Sequence, residues 1–176
     1  SRGLGDVYKR QVLDIGTGSG AIAVSLKKSR PMWQVTASDL SADALVLAKD
    51  NAKLNRVDIS FVLADVFENV SGCFDIIVSN PPYISENDKD EVGLNVLTSE
   101  PKMALFADED GLAIYRQILE DADKYLNPQG KLYFEIGYKQ GEDLRKLLSL
   151  HFPDKHVRVL KDQFGQDRMV VMDDGN

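Results

Sequence analysis

The most restrictive feature of this sequence is a glycine-rich turn placed between an apolar run and a helical pattern. Residues 12–15 read Val-Leu-Asp-Ile, which has the length and character of a buried strand, and residues 16–20 follow as Gly-Thr-Gly-Ser-Gly. A helix is predicted from Ala21 to Lys28, with Ile22 and Leu26 on one face. A strand, a glycine turn and a helix in this order form half of a nucleotide-binding βαβ unit.

Strands and helices continue to alternate through most of the chain. Further strands are predicted at residues 34–38, 59–63, 74–79, 131–136, 156–160 and 168–172. Ser41 is predicted to cap the second helix, and Asn127-Pro128 to stop a later one. The last two strands, joined by a turn at residues 162–166, are expected to form an antiparallel hairpin. The pattern predicts an α/β fold with a doubly wound, mostly parallel seven-stranded sheet and a C-terminal antiparallel hairpin.

Composition narrows the function classes. The 176 residues suit one domain, and 21 basic against 28 acidic residues give a net charge of −7, which argues against a broad nucleic-acid-binding surface. The single Cys73 cannot form an internal disulfide, and no Cys/His cluster suggests a metal. No apolar run reaches membrane-spanning length and no signal peptide is visible, so we expect a cytoplasmic protein that binds no membrane.

Four polar residues fall at or just past the ends of predicted parallel strands: Asp14, Asp39, Asp65 and Asn80. Ligands of such sheets bind beyond the carboxyl ends of the strands, so we expect these side chains to converge on one crevice. At its position Asp39 can accept both hydroxyls of a ribose, and Asp65 can accept from the amino group of an adenine flanked by Val66. The alternative is that these are solvated aspartates at strand ends and turns.

A second cluster, Asn80-Pro81-Pro82-Tyr83, directly follows the predicted strand at 74–79. Prolines donate no backbone hydrogen bond, so the carbonyl oxygens around them are free to accept from another group, and Pro81 confines Asn80 to extended conformations. Such a rigid set of acceptors suits a planar –NH2 group, with Tyr83 covering one face. The alternative is an extended turn without chemistry, since Asn-Pro is a common turn starter.

Several functions remain compatible with these residues alone. Gly16, Gly18 and Ala21 satisfy the relaxed dinucleotide pattern G-x-G-x-x-G/A, which allows a nicotinamide dehydrogenase. The acceptor cluster at Asn80 also fits the exocyclic amino group of adenine or cytosine in nucleic acid, although such an enzyme usually has a basic surface. A binding module that has lost its chemistry is a third possibility.

The glycine turn, the acidic residue after the second strand and the Asn-Pro-Pro-Tyr cluster after the fourth resemble those of class I S-adenosylmethionine-dependent methyltransferases. Four segments, VLDIGTGSGAIA, SNPPYI, EPKMAL and DQFGQDRMVV, are similar to the release-factor glutamine methyltransferases, the HemK/PrmC family. That resemblance implies S-adenosylmethionine as cofactor, S-adenosylhomocysteine as its product, and no metal. The implied cofactor-binding residues are Asp14, Gly16, Thr17, Gly18, Ser19, Gly20, Asp39, Asp65, Val66 and Asn80, and the implied catalytic residues are Asn80, Pro81, Pro82 and Tyr83.

In that family the methyl group goes to the side-chain amide nitrogen of the glutamine in the Gly-Gly-Gln motif of class I peptide-chain release factors, which become the expected partner. The alternative reaction is methylation of a nucleobase amino group. We expect residues 1–11 to be a truncated or foreign leader, and residues 12–176 to be a methyltransferase domain without the helical domain that precedes it in the family. The polar stretch 84–110 is expected to act as a lid or substrate contact.

Overall fold

The computed structural model describes residues 9–81, 84–85, 106–107 and 111–175, the two short middle segments by their backbone alone. Its elements, in chain order, are β1 Gln11–Ile15, α1 Ala21–Ser29, β2 Gln34–Asp39, α2 Ala42–Leu54, β3 Ser60–Leu63, β4 Phe74–Ser79, β5 Ile84–Ser85, β6 Phe106–Ala107, α3 Ala113–Tyr125, β7 Leu126–Glu135, α4 Gly141–His151, β8 His156–Lys161 and β9 Asp167–Asp173.

Seven of these strands form one sheet in the order β3-β2-β1-β4-β7-β9-β8, and β5 pairs with β6. The pairs β1/β2, β1/β4 and β2/β3 are parallel, whereas β8 and β9 are antiparallel. The predicted fold class is therefore confirmed. The predicted lid, residues 84–110, lies largely outside the described residues.

Strand bounds differ from the prediction mainly at β7. It begins at Leu126, five residues before the predicted start, and contains Pro128. The sequence prediction stops the preceding helix at Asn127-Pro128 and begins the strand at residue 131, because proline and glycine are poor strand formers. The Asn127 amide donates to Asp75 Oδ1 of β4 at 2.9 Å, which fixes this early part of β7 beside β4.

The chain divides into two compact units. The first comprises Ser1–Ser79 and Asp121–Leu132, and the second comprises Asn80–Glu120 and Tyr133–Asn176.

In the first unit a hydrophobic core lies between the sheet and helices α1 and α2. Its buried members are small or branched apolar residues: Val12, Ala23, Val24, Val35, Ala37, Ala52 and Ile59. Small residues on the helices let them approach the β-branched residues of the strands closely. As predicted, Ser41 caps α2, its hydroxyl accepting from the Ala44 N–H at 3.2 Å.

In the second unit the core gathers around Tyr115 of α3 and Phe134 of β7, both fully buried, whose rings meet edge to face at 5.3 Å. The Tyr115 hydroxyl donates to the Glu135 carbonyl at 2.6 Å, so the polar end of this buried ring is satisfied. Leu144 and Leu148 of α4 are also fully buried.

Register aligns the carboxyl ends of the parallel strands in the first unit. Ile15 pairs with Ser38 and with Ser79, and Asp39 pairs with Leu63. The segments that follow β1, β2 and β3 therefore start at the same edge of the sheet, as the sequence predicted for the polar residues there.

Candidate functional site

The glycine turn after β1 uses left-handed backbone conformations at three positions. Gly16, Gly18 and Gly20 have φ of 68°, 55° and 79°, which glycine adopts without steric cost. A Cβ atom on Gly16 or Gly18 would meet nothing within 4 Å, so the space on the Cβ side of these two glycines is open. A Cβ atom on Gly20 would lie 3.0 Å from the Ala48 Cβ. The first two glycines therefore shape an open turn, and the third permits close packing of α1 on α2.

Asp39, the last residue of β2, joins this turn to the start of α2. Its Oδ2 accepts from the Gly18 N–H and its Oδ1 from the Ser41 N–H, both at 2.8 Å. Its backbone carbonyl accepts from the Ala64 N–H just after β3, at 2.9 Å. A carboxylate offers about four acceptor positions, so two remain for hydroxyl groups of a ligand.

Asp14 is the most unusual residue of the site, because its carboxylate is buried in the first unit and one of its two oxygens has no hydrogen-bond partner among the described residues. The residue is 1% exposed, and the Thr17 hydroxyl donates to Oδ2 at 2.7 Å. No described residue donates a hydrogen bond to the buried Oδ1. Burial raises the pKa of Asp14 to about 7. The Thr17 hydroxyl and the backbone of Ala23 act against this rise, and the nearby Asp39 carboxylate adds to it. An unpartnered buried oxygen beside an open glycine turn fits the ammonium group of a ligand.

Ser19 is exposed, and its carbonyl oxygen accepts from the Asn51 side-chain amide of α2 at 2.8 Å. This contact holds the middle of the turn against the second helix. Sequence reasoning missed Asn51, because a polar residue on an exposed helix face carries no signal of the loop that it contacts.

Asp65 and Val66 follow β3 as predicted. Asp65 is exposed, and its backbone carbonyl accepts from the Glu68 N–H at 2.9 Å. Val66 is 8% exposed and has φ of 52°, a left-handed conformation that is strained for a β-branched residue. Such strain costs on the order of 1–3 kcal/mol and is often found at ligand sites.

Asn80 directly follows β4 and is exposed, while Pro81 is buried. Just before them, the buried Ser79 hydroxyl donates to the Ile15 carbonyl at 2.7 Å, which anchors the end of β4 to the end of β1. Ser79 was not predicted to have this role. Pro82 and Tyr83, the other two predicted catalytic residues, lie outside the described residues.

The structure thus joins one part of the predicted site by hydrogen bonds: Asp14 to Thr17, and Asp39 to Gly18. Asp65 and Val66 follow the adjacent β3 in the same unit. The part of the chain that the structure describes contains no group of three or more His, Cys, Asp or Glu residues that could hold a metal ion. Among the same residues, no helix combines the length and apolar character needed to cross a membrane.

Comparison with known proteins identifies the family. Residues 3–109 match the family model described as Methyltransferase small domain. The release factor glutamine methyltransferase of Streptococcus pneumoniae is 63% identical over 164 residues, which cover 93% of this chain and 59% of that protein. The protein of the same name from Lactococcus lactis is 48% identical over 160 residues, covering 91% of this chain and 59% of that protein. The chain therefore spans 59% of the length of these two curated relatives.

Solved structures support the fold. A methyltransferase from Pyrococcus furiosus superposes with a TM-score of 0.68 at 22% identity, covering 96% of this chain and 76% of that chain. The relatives confirm the resemblance predicted from the sequence segments around the glycine turn and Asn80. The chain belongs to the methyltransferase small domain family.

Proposed function

We propose that this chain is the catalytic part of a release-factor glutamine methyltransferase. In the cytoplasm it transfers the sulfonium methyl group of S-adenosylmethionine to the side-chain amide nitrogen of the glutamine in the Gly-Gly-Gln motif of class I peptide-chain release factors. The sulfur leaves as S-adenosylhomocysteine, and the methylated nitrogen loses one proton to water. The proposed substrate rests on the 63% identity, over 93% of the chain, to a relative named for this reaction. The proposed cofactor is supported by the geometry of Asp14, Asp39 and the glycine turn.

S-adenosylmethionine supplies an activated methyl group on a sulfonium, so the reaction needs no covalent enzyme intermediate. Its ribose hydroxyls suit the acceptor positions that Asp39 keeps open while it holds the Gly18 and Ser41 amides. Its α-ammonium group suits the unpartnered Oδ1 of Asp14. Asp65 and Val66 are proposed for the adenine, Asp65 through its carboxylate.

Asn80 and the carbonyl of Pro81 would accept the two hydrogens of the substrate amide and orient its nitrogen. An amide nitrogen is a weak nucleophile because its lone pair is delocalised into the carbonyl, so orientation supplies much of the rate. Tyr83 would pack on the glutamine amide and exclude water. The Ser79 hydrogen bond to Ile15 supports this assignment, because it fixes the backbone from which Asn80 projects.

The cofactor is tested by calorimetric titration of the chain with S-adenosylmethionine, S-adenosylhomocysteine and NAD in parallel. We expect binding of the two adenosyl ligands alone; binding of NAD alone would point to a dehydrogenase instead. The substrate is tested by comparing methyl transfer to a release factor with transfer to adenine-containing nucleic acid. Transfer to nucleic acid alone would establish the nucleobase amino group as the acceptor.

The role of Asn80 is tested by Asn80→Ala. Loss of a positioned acceptor is expected to lower kcat by about 10²-fold or more. Because Asn80 is exposed, the fold should survive the change, and urea unfolding of the same preparation serves as the control for folding, while S-adenosylhomocysteine affinity reports any contribution of Asn80 to cofactor binding. A near-normal kcat with unchanged affinity would refute the assignment.

A further inference from the structure

An aromatic side chain stands exposed at the tip of the β8–β9 hairpin. Phe164 is 79% exposed, although transfer of a phenylalanine side chain out of water is favourable by roughly 1.5–3 kcal/mol. Phe164 belongs to the segment DQFGQDR, which is similar to the release-factor glutamine methyltransferases, yet the reaction proposed above assigns Phe164 no role.

The turn that carries Phe164 is held rigidly from within. Asp162 Oδ1 accepts from the backbone N–H groups of Phe164 at 2.8 Å and Gln166 at 3.1 Å, while Oδ2 accepts from Arg168 at 3.1 Å. Three hydrogen bonds hold the pKa of Asp162 below its ordinary value. The bond from the Gln166 backbone has the largest effect, followed by those from the Phe164 backbone and the Arg168 side chain. Gly165 supplies the left-handed conformation that the turn requires, with φ of 77°. Because the turn is ordered before any partner arrives, docking on Phe164 costs little further conformational entropy.

The charges around Phe164 are paired within the hairpin. Lys161 contacts Asp167 at 2.7 Å, and Arg168 contacts Asp162 at 3.1 Å. A nucleic-acid contact depends on cations available to phosphate groups, whereas both basic residues flanking this tip already have carboxylate partners. The tip therefore suits an apolar depression on a protein.

Within the second unit, the tip also lies near the end of a strand. Ile136, the residue after β7, donates its N–H to the carbonyl of Arg168 at 3.0 Å, so the hairpin turn lies near the carboxyl end of β7. Ligands of α/β sheets bind beyond the carboxyl ends of parallel strands.

We propose that Phe164 is an anchor for the protein substrate, inserting into an apolar depression on the surface of the release factor when the acceptor glutamine is presented to the chain. The inference rests on the proposed function, because it requires a protein substrate. A buried aromatic anchor surrounded by weaker contacts is the usual source of binding energy in protein interfaces.

The test compares Phe164→Ala with Leu150→Ala, a change at a side chain on α4 that is also 79% exposed. Each variant is assayed with an intact release factor and with a short peptide containing Gly-Gly-Gln. For Phe164→Ala we expect KM for the intact protein to rise about tenfold or more, equivalent to ~1.4 kcal/mol, with kcat and the peptide kinetics unchanged. Leu150→Ala should match the wild type, and Phe164→Leu should recover most of the lost affinity.

Equal KM values for Phe164→Ala and the wild type would overturn the proposal, as would an equal loss with the short peptide. The rise in KM should be nearly the same between low and high salt, and a steep salt dependence would show that the contact is electrostatic instead. Direct titration of release factor into the chain gives the same comparison without turnover. If the wild type binds S-adenosylhomocysteine but neither binds nor methylates release factor, the proposed substrate itself is wrong and this inference falls with it.

Discussion

The buried carboxylate of Asp14 should make the chain less stable at neutral pH than at acidic pH, and Asp14→Asn should remove this dependence. The native state holds the pKa of Asp14 at about 7, against an ordinary value of 3.8. Between those two values the unfolded chain has released its proton while the folded chain retains it. The free energy of unfolding therefore falls as the pH rises from about 4 to about 7 and is constant above that range with respect to this group.

The size of the effect follows from the pKa difference. About three pH units at ~1.4 kcal/mol each give a destabilisation of roughly 4 kcal/mol above pH 7. Asp14→Asn avoids burial of the charge and keeps an acceptor for the Thr17 hydroxyl. It also introduces two amide hydrogens at a buried position where the described residues make no hydrogen bond to Oδ1. Unsatisfied amide hydrogens cost about 1–3 kcal/mol. A net stabilisation of about 1–3 kcal/mol is therefore expected at pH 8, and a net loss of about 1–3 kcal/mol near pH 4, where the folded wild type holds Asp14 protonated and only the amide penalty remains.

The measurement is urea unfolding of both proteins at several pH values from 4 to 8.5, with Asp50→Asn as the matched control. Asp50 is an exposed aspartate on α2, so its replacement controls for the removal of one negative charge. A constant difference between Asp14→Asn and the wild type across this range would refute the reasoning. The same substitution should weaken S-adenosylhomocysteine binding, because it removes the carboxylate proposed for the ammonium group.

Two further predictions concern the frame of the site. Gly20→Ala should lower the free energy of unfolding by about 2–4 kcal/mol, since it adds both a left-handed backbone cost and a Cβ 3.0 Å from that of Ala48. Gly165→Ala is the matched control, because Gly165 has nearly the same φ but an added Cβ would meet nothing within 4 Å. It should lose only the backbone cost of about 1–2 kcal/mol. Equal losses of stability in the two variants would contradict the packing argument. Ser79→Ala should cost about 1 kcal/mol in chemical denaturation by removing the buried hydrogen bond to the Ile15 carbonyl, and a loss below a few tenths would contradict that role.

The fold could be predicted because its signals are local. The glycine turn, the apolar runs of the parallel strands and the hairpin turn are each contained within a few consecutive residues. The strand ends that carry Asp14, Asp39 and Asp65 followed from the same signals, because parallel strands place their carboxyl ends at one edge of a sheet.

The supporting contacts could not be predicted, because they join residues far apart in the chain. Asn51 holds the carbonyl of Ser19, and Ser79 holds that of Ile15, across separations of 32 and 64 residues. The left-handed conformation of Val66 was also unexpected, since a β-branched residue favours extended backbone. The next residue, Phe67, stacks on Tyr125 with ring centroids 4.2 Å apart, and this long-range packing helps to hold the turn in place.

The two aspartates of the first unit illustrate different ways in which a binding site can use charge. Asp39 is satisfied by two backbone N–H groups, so its carboxylate holds the glycine turn in place whether or not a ligand is bound. Asp14 is buried with one hydroxyl donor and lowers the stability of the empty chain at neutral pH. A cationic group that contacts Oδ1 would favour the ionised form and recover part of that energy. At pH 8, ligand binding should therefore stabilise the wild type more than it stabilises Asp14→Asn. The difference between the two stabilisation free energies is the contribution of the unpartnered oxygen to ligand binding.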